Sequence, residues 1–453
     1  MDSGKFDSAD KDEIESGQSA DVQENAGVKV LPTWKNRVLT KDYLGEAQKN
    51  AGFDIPFLML TLLILMIGVI MVLSASFARA YYTSGQPMML FSRQLVFALS
   101  GVAIMLVVSR VKIKTVSHFS MHSLIVSIIM LVLVMNIGVK VNGARRWIGV
   151  GTGNNSITFQ PSEIAKLSIV LAFAQMSCKF GKKMKTFKFG VIPFVAITAV
   201  IVALLWFEPH LSAIVIVVAL SVIMMFAGGT RLRWFAIAGL AVASAAAIVF
   251  LPAIRNQSNS DTEQSVTVKQ IIQESVDNLG YAGNRINAWL DPDADPLGDG
   301  LQIRQSLFAV GSGGAFGQGL GQSRQKYLYL PEEHNDYIFA IVCEELGYIG
   351  ALVILTLFAL LIIRGFWIAL HARDKYSSLI TIGITSLLAI QVFLNVAVVT
   401  NLVPATGISL PFFSYGGTAL WIQLLQMGLI LAVSREIPEP GGTDKRNADL
   451  ARQ

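Results

Sequence analysis

The sequence predicts an all-α polytopic membrane protein of about ten transmembrane helices, with a large outer loop between the seventh and eighth. Three observations predict this. Of 453 residues, 53% are hydrophobic and only 15% are charged, whereas a soluble domain carries about 25% charged residues. Apolar runs of about 20 residues, the length that crosses the hydrocarbon core as helix, recur along the chain. The basic residues gather in short segments between those runs, so the formal charge of +5 reads as cytoplasmic loops and gives no sign of a nucleic-acid surface.

The elements follow in order. Residues 1–50 are dominated by Asp, Glu, Ser, Gln and Lys with no apolar period, the composition of a disordered tail. No apolar core follows a basic start near Met1, so this is not a signal peptide. Residues 51–435 make up the membrane domain, with apolar runs beginning near Ile55, Leu95, Ser123, Ile164, Val191, Ser212, Trp234, Ile338, Leu379 and Phe412. Pro161 suits the first turn of the fourth helix, where a missing N–H is tolerated. Residues 436–453 form a second tail. Cys178 and Cys343 lie on different segments without ligand spacing, so neither a disulfide nor a metal site is expected.

Orientation comes from the loops. Arg110, Lys112 and Lys114, then Lys179, Lys182, Lys183, Lys185 and Lys188, then Arg231 and Arg233, Arg364, Arg373 and Lys375, and finally Arg435, Lys445 and Arg446 fall on one side of every second run. The positive-inside rule makes that side cytoplasmic and places both termini inside. The segments 138–160 and about 253–335 then share the outer face of a cytoplasmic membrane, in contact with its lipids. The second of these is the longest connection in the chain, and connections of that length are usually functional or disordered.

That outer loop is unusual for so apolar a chain. It gathers Asp291, Asp293, Asp295 and Asp299 around Pro292 and Pro296, then Arg304, Gln305 and Ser306, then Arg324, Lys326, Glu332, Glu333, His334 and Asp336. Such a cluster points to a polar substrate handled at the membrane surface. Between them runs Gly311-Ser312-Gly313-Gly314-Ala315-Phe316-Gly317-Gln318-Gly319-Leu320-Gly321. It has neither a Walker lysine nor dinucleotide spacing after a strand, and reads as close-packed backbone. Taken alone, the four aspartates fit turn-favouring loop residues better than a catalytic group.

Four segments stand out: Asn142-Gly143-Ala144-Arg145-Arg146-Trp147-Ile148 with Gln160-Pro161-Ser162-Glu163 and Lys166; Asp295-Pro296 with Gly298, Gly300, Gln305 and Ser306; Leu330-Pro331-Glu332 with His334, Asp336 and Glu344-Glu345-Leu346-Gly347; and Pro404 with Thr406-Gly407 and Ser414-Tyr415-Gly416-Gly417. In these segments the chain resembles the bacterial SEDS family, the FtsW, RodA and SpoVE proteins. The segments occur in order across roughly residues 50–435. The closing motif from Ile408 to Tyr415 looks more like the division and sporulation branch than the elongation branch. The chain departs from the family pattern at Glu208-Pro209-His210-Leu211-Ser212, where Gln-Pro-Asp-Leu-Gly is common, and at Asn335, Tyr337 and Leu301.

The resemblance implies a ten-helix peptidoglycan glycosyltransferase that polymerises lipid II. It also implies a class B penicillin-binding protein (transpeptidase) as partner, with other divisome or elongasome membrane proteins around it. Asp295 aligns with the family's catalytic Asp and is expected to be the general base. Arg146, Trp147, Lys166, Gln305, Ser306 and His334 are expected to bind substrate.

The residues suit that chemistry. A sugar hydroxyl attacking an anomeric carbon needs a positioned carboxylate to take its proton. A departing diphosphate needs cationic stabilisation. Arg146 offers two-point phosphate contact, and Trp147 suits the interface. Lys166 lies three residues after Glu163, so the two share a helix face. Asp291 and Asp293 could assist a divalent cation, but spaced loop carboxylates are weak evidence and no metal ligand is assigned. Two other functions compete, a lipid II flippase and a non-catalytic scaffold of the division complex. A flippase needs ionisable residues at mid-depth, where only Glu344 and Glu345 fall, and a scaffold has no use for Asp295 beside Arg146 and Lys166.

Overall fold

The computed structural model describes residues 52–141, 144–150, 157–208, 210–237, 239–240, 281–293 and 298–437. The tails before residue 52 and after 437, most of the run expected from Trp234, and Asp295 lie outside the described residues. Among the described residues, nine helices are long and apolar enough to cross a membrane. The first six are α1 (Ile55–Ser84), α2 (Met89–Val108), α3 (Ile113–Ile137), α4 (Pro161–Phe180), α5 (Ile192–Phe207, preceded by a short turn of helix) and α6 (Leu211–Gly228). Two shorter helices follow, α7 (Tyr281–Leu290) and α8 (Asp299–Ser312). The last three crossings are α9 (Ile338–His371), α10 (Lys375–Val399) and α11 (Gly417–Ser434). The chain is a multi-pass membrane protein.

Helices α4, α10 and α11 are the most buried, while α2 and α5 present most of their surface outward. α4 packs on α3, α6 and α10, α11 packs on α2, and α9 packs on α1 and α10. Small residues permit the closest approaches, as expected where lipid supplies no hydrophobic drive between helices. At Gly383 of α10, a Cβ would lie 2.4 Å from Val170 of α4 and 2.7 Å from Met224 of α6. α1 starts cleanly because the Asp54 side chain accepts from the Phe57 N–H at 3.0 Å. The same carboxylate receives Arg364 of α9 at 2.8 Å, which ties the two helices together.

α9 is broken. Gly347 has φ 69° and ψ −173°, a conformation that favours glycine. The glycine tract repairs the break. Gln318 N–H and Gly319 N–H donate to the Glu344 and Glu345 carbonyls, each at 3.0 Å. In return, Tyr348 N–H and Ile349 N–H donate to the Gly314 and Ala315 carbonyls at 2.9 and 3.1 Å. A Cβ on Gly347 would sit 2.2 Å from the Gly317 nitrogen, so neither glycine has room for a side chain. Irregular backbone inside a candidate crossing is tolerated here because protein groups satisfy it. The carboxylates at the break are paired as well. Glu345 meets Lys326 at 2.9 Å and the Ser74 hydroxyl at 2.7 Å, and Glu344 accepts from the Ser323 hydroxyl and from Arg324 N–H.

Two expectations need correction. The segment 138–160, expected as a loop, contains a three-stranded antiparallel sheet of β1 (Val139–Val141), β2 (Ala144–Val150) and β3 (Ile157–Phe159), with β2 in the middle. Its outer strands have three residues each, too short for an alternating pattern to register. The last crossing begins at Gly417 and not near Phe412, because Phe412 has φ 65° and cannot sit in a right-handed helix.

Candidate active site

The sheet sets the first part of the site. Successive side chains of a strand point to opposite faces, and Arg145 and Arg146 are used in that way. Arg145 is exposed and donates to the Met135 carbonyl at 3.2 Å. Arg146 is half-buried, and its Nε donates to the Glu208 carbonyl at 3.4 Å. Pairing of Val139 with Trp147 and of Ile148 with Phe159 fixes the strand's register. The Thr418 hydroxyl donates to the Thr158 carbonyl at 3.0 Å and anchors the sheet to α11.

The first turns of α4 supply the second part. With Pro161 in its opening turn, α4 carries Glu163 and Lys166 on one face, paired at 2.7 Å and both nearly fully buried. The third part is the α5–α6 corner. Burial pushes the Glu208 carboxyl up to about 8, against the pull of Arg146. Burial, with Arg146 and Lys166 adding, holds the His210 imidazole well below its ordinary pKa.

The fourth part is the segment that leads into α9. Arg79 of α1 grips Glu333 through two hydrogen bonds of 2.8 Å each. Burial opposes ionisation of Glu333, but the neighbouring His334 and Arg79 more than offset it and hold this carboxyl low. His334 Nδ1 lies 3.7 Å from Glu333, beyond hydrogen-bond reach, with its ring tilted against Tyr415. The backbone here is clamped: Tyr415 N–H donates to the His334 carbonyl at 2.9 Å and the Ser414 hydroxyl to the Asn335 carbonyl at 2.8 Å. Asn395 of α10 donates to the Asp336 carbonyl at 2.7 Å. Asp336 does not cap α9, whose N-terminus has no side-chain cap. Burial pushes its carboxyl up to about 6, with Glu332 adding and Arg285, Arg146 and His334 opposing.

These four parts enclose a cavity of about 1130 Å³. Arg79, Arg93, Arg146, Lys166 and Arg285 line it, against the carboxylates of Glu163, Glu332 and Asp336. Val96 and Phe97 of α2, Ile216 of α6 and Trp421 of α11 give it an apolar wall, with Phe97 and Trp421 meeting edge to face at 5.2 Å. Among the described residues the lining is net cationic with apolar groups beside the charges, which fits an anionic amphiphile. It lies toward the start of α4, at the end opposite Lys179.

Of the residues expected at the site, Arg146, Trp147, Lys166 and His334 line this one cavity. Gln305 and Ser306 of α8 are not among its lining residues, and the buried Ser306 hydroxyl donates to the Val399 carbonyl at 2.8 Å. Asp295 lies outside the described residues, and its neighbour Asp293 pairs with Arg304 at 3.3 Å. The sequence had not singled out Arg79, Arg93 or Arg285. Arg79 alone carried a signal, as an isolated charge near the end of an apolar run.

Fold and cavity together define a polytopic membrane protein with a cationic, amphiphile-sized site at one end of its helix bundle. The chain belongs to the FtsW, RodA and SpoVE family of cell cycle proteins, whose sequence profile matches residues 55–438. It is 40% identical over 389 residues to stage V sporulation protein E of Bacillus subtilis, covering 85% of this chain and 98% of that protein. It is 36% identical to a probable peptidoglycan glycosyltransferase FtsW of Trichlorobacter lovleyi, covering 87% of this chain and 96% of that one. Solved structures agree in fold. A chain from a structure on coordination of polymerization and crosslinking by a peptidoglycan synthase complex superposes with a TM-score of 0.65 at 24% identity, covering 85% of this chain and 98% of that one. The rod shape determining protein RodA of Thermus thermophilus gives 0.57 at 24% identity, covering 86% and 98%.

Proposed function

We propose that this chain is a peptidoglycan glycosyltransferase that polymerises lipid II at the outer face of the cytoplasmic membrane. The observation that carries this reading is the meeting of Arg146 from β2 and Lys166 from α4 in one cavity that Val96, Phe97 and Trp421 also line. The diphosphate of a lipid-linked donor lies against the cations while its polyprenyl tail stays along the apolar wall and in lipid. A sugar hydroxyl of the acceptor attacks the donor's anomeric carbon and the C–O bond to the diphosphate breaks, with inversion. The hydroxyl proton passes to the Asp295 carboxylate, and the polyprenyl diphosphate leaves with the bonding electrons.

A flippase is less well supported, because Glu344 and Glu345 are taken up in pairing at the α9 break and do not line the cavity. The names of the relatives and the peptidoglycan synthase complex support the enzymatic reading and a class B transpeptidase partner.

Two predictions test this. In steady-state polymerisation with lipid II, Arg146→Ala and Lys166→Ala each reduce kcat/KM roughly 10- to 150-fold, the equivalent of about 1.5–3 kcal/mol for a lost charge-assisted contact. Arg146→Lys recovers only part, since an ammonium cannot make a planar two-point contact. Full activity of Arg146→Lys removes bidentate recognition from the account, and normal donor dependence in both Ala variants removes the phosphate role.

The second concerns sidedness. Single cysteines replacing the exposed Gln86 and Lys182, in a chain lacking Cys178 and Cys343, are treated with an impermeant thiol reagent in intact cells. Gln86→Cys is labelled and Lys182→Cys is not, because three crossings separate them and the Lys-rich side is cytoplasmic. The reverse pattern would put the cavity on the cytoplasmic side.

A further inference from the structure

The α5–α6 corner carries polar groups that the reaction above leaves unused. His210 is 6% exposed and Ser212 is 2% exposed, and both line the cavity that Arg146 and Lys166 also line. Among the described residues, the buried His210 Nδ1 and Ser212 hydroxyl have no hydrogen-bond partner. Buried polar atoms are nearly always satisfied, so two orphans on one short stretch of cavity wall call for an explanation. Their backbone is well fixed. His210 N–H donates to the Leu205 carbonyl and its own carbonyl accepts from Ile214 N–H, each at 3.2 Å.

His210 also occupies the position just before α6, and no side chain caps that helix. The first N–H groups and positive end of this 18-residue helix are therefore not taken up by an N-cap side chain, and such a helix end favours an anion. Ser212, Ala213 and Ile216, all in its first two turns, line the wall.

We propose that the N-terminus of α6, with His210 and Ser212 as neutral hydrogen-bond donors, binds a phosphate of the donor's diphosphate alongside Arg146 and Lys166. The proposal rests on the glycosyltransferase reading. Burial and the two nearby cations keep the imidazole neutral at neutral pH. A neutral imidazole offers one N–H donor and one acceptor, so it adds a directed contact without repelling Arg146. The Ser212 hydroxyl adds a second donor of the same kind. Two fixed cations supply the charge, and the helix end with its two side chains supplies the geometry.

The test measures binding of farnesyl diphosphate to the purified full chain in detergent, with phosphatidylglycerol as a competing phosphate source. Wild type binds the diphosphate and phosphatidylglycerol does not displace it. His210→Leu and Ser212→Ala each weaken binding about tenfold or more, the loss expected for a hydrogen bond to a charged group, with unchanged thermal stability. His210→Gln, which keeps a neutral N–H donor, restores most of the affinity. If Arg146→Ala loses binding while His210→Leu and Ser212→Ala keep it, the subsite is wrong and the diphosphate reading stands. If Arg146→Ala and Lys166→Ala also bind like wild type, the diphosphate reading itself falls. Displacement by equimolar phosphatidylglycerol reassigns the site to lipid headgroups, and a folded His210→Gln as weak as His210→Leu rules out the neutral-donor role.

Discussion

Asp295→Ala abolishes glycan polymerisation while the chain still inserts and accumulates, with a rate loss of about 10²–10⁴, as for removal of a general base. The acceptor hydroxyl is a poor nucleophile until its proton has somewhere to go, and the cations of the cavity cannot take it. Asp336 is the rival carboxylate in the cavity wall, pushed up to about 6 by burial and therefore a usable base at neutral pH. The two assignments separate cleanly. With Asp295 as base, Asp336→Asn lowers activity far less than Asp295→Asn does. An Asp295→Ala chain that polymerises at the wild-type rate, beside a dead Asp336→Asn chain, transfers the role to Asp336.

Lys326→Met destabilises the protein by about 3–5 kcal/mol, the usual consequence of leaving a buried charge without its partner. Lys326 is 2% exposed and Glu345 is 1% exposed, and their contact of 2.9 Å lies beside the break in α9. Lys326 Nζ also donates to the Gly321 carbonyl at 2.6 Å, so it ties the glycine tract to the helix it repairs. The residues that carry His334 and Asp336 into the cavity run directly from this point. Lys326→Met therefore lowers the thermal unfolding midpoint of the purified chain sharply, and adding Glu345→Gln recovers much of the loss. Lack of recovery in the double variant would show that Lys326 acts through its hydrogen bonds to Gly321 and Ser74 or the packing of its stem, and not through the charge of Glu345.

Much of the architecture was legible because the bilayer imposes a length. Nine of the expected runs reappear as helices among the described residues, and the lysine clusters mark their ends. The boundaries were less legible. α3 starts at Ile113, well before the expected Ser123, because its first turns carry Lys114, His118 and Ser120 and do not look apolar. The break in α9 was hidden inside a continuous apolar run. Gly347 can be any small residue in a sequence, and only the backbone of Gly317 packed against it makes it a break.

The site was legible where two of its groups sit close in sequence, as Glu163 and Lys166 do. It was not legible where partners are far apart. Arg79 and Glu333 are separated by 254 positions, and nothing local announces their pairing. His210 was noticed only as a departure from a family pattern, and its burial in the cavity wall gives it a use. The resemblance places Ser306 with the substrate-binding residues, and its buried hydroxyl holds α8 to the end of α10, a contact that no local pattern announces.

The most direct measurement is polymerisation by the purified chain in detergent. The wild-type chain is combined with a class B transpeptidase whose crosslinking serine is blocked, and lipid II is the only substrate supplied. Micelles have no two leaflets, so a flippase has nothing to transport and a scaffold has nothing to make. Uncrosslinked glycan strands form, lengthen with time and are lost in the Arg146→Ala chain. Lipid II recovered unpolymerised from a folded, partner-bound wild-type complex would contradict the glycosyltransferase reading.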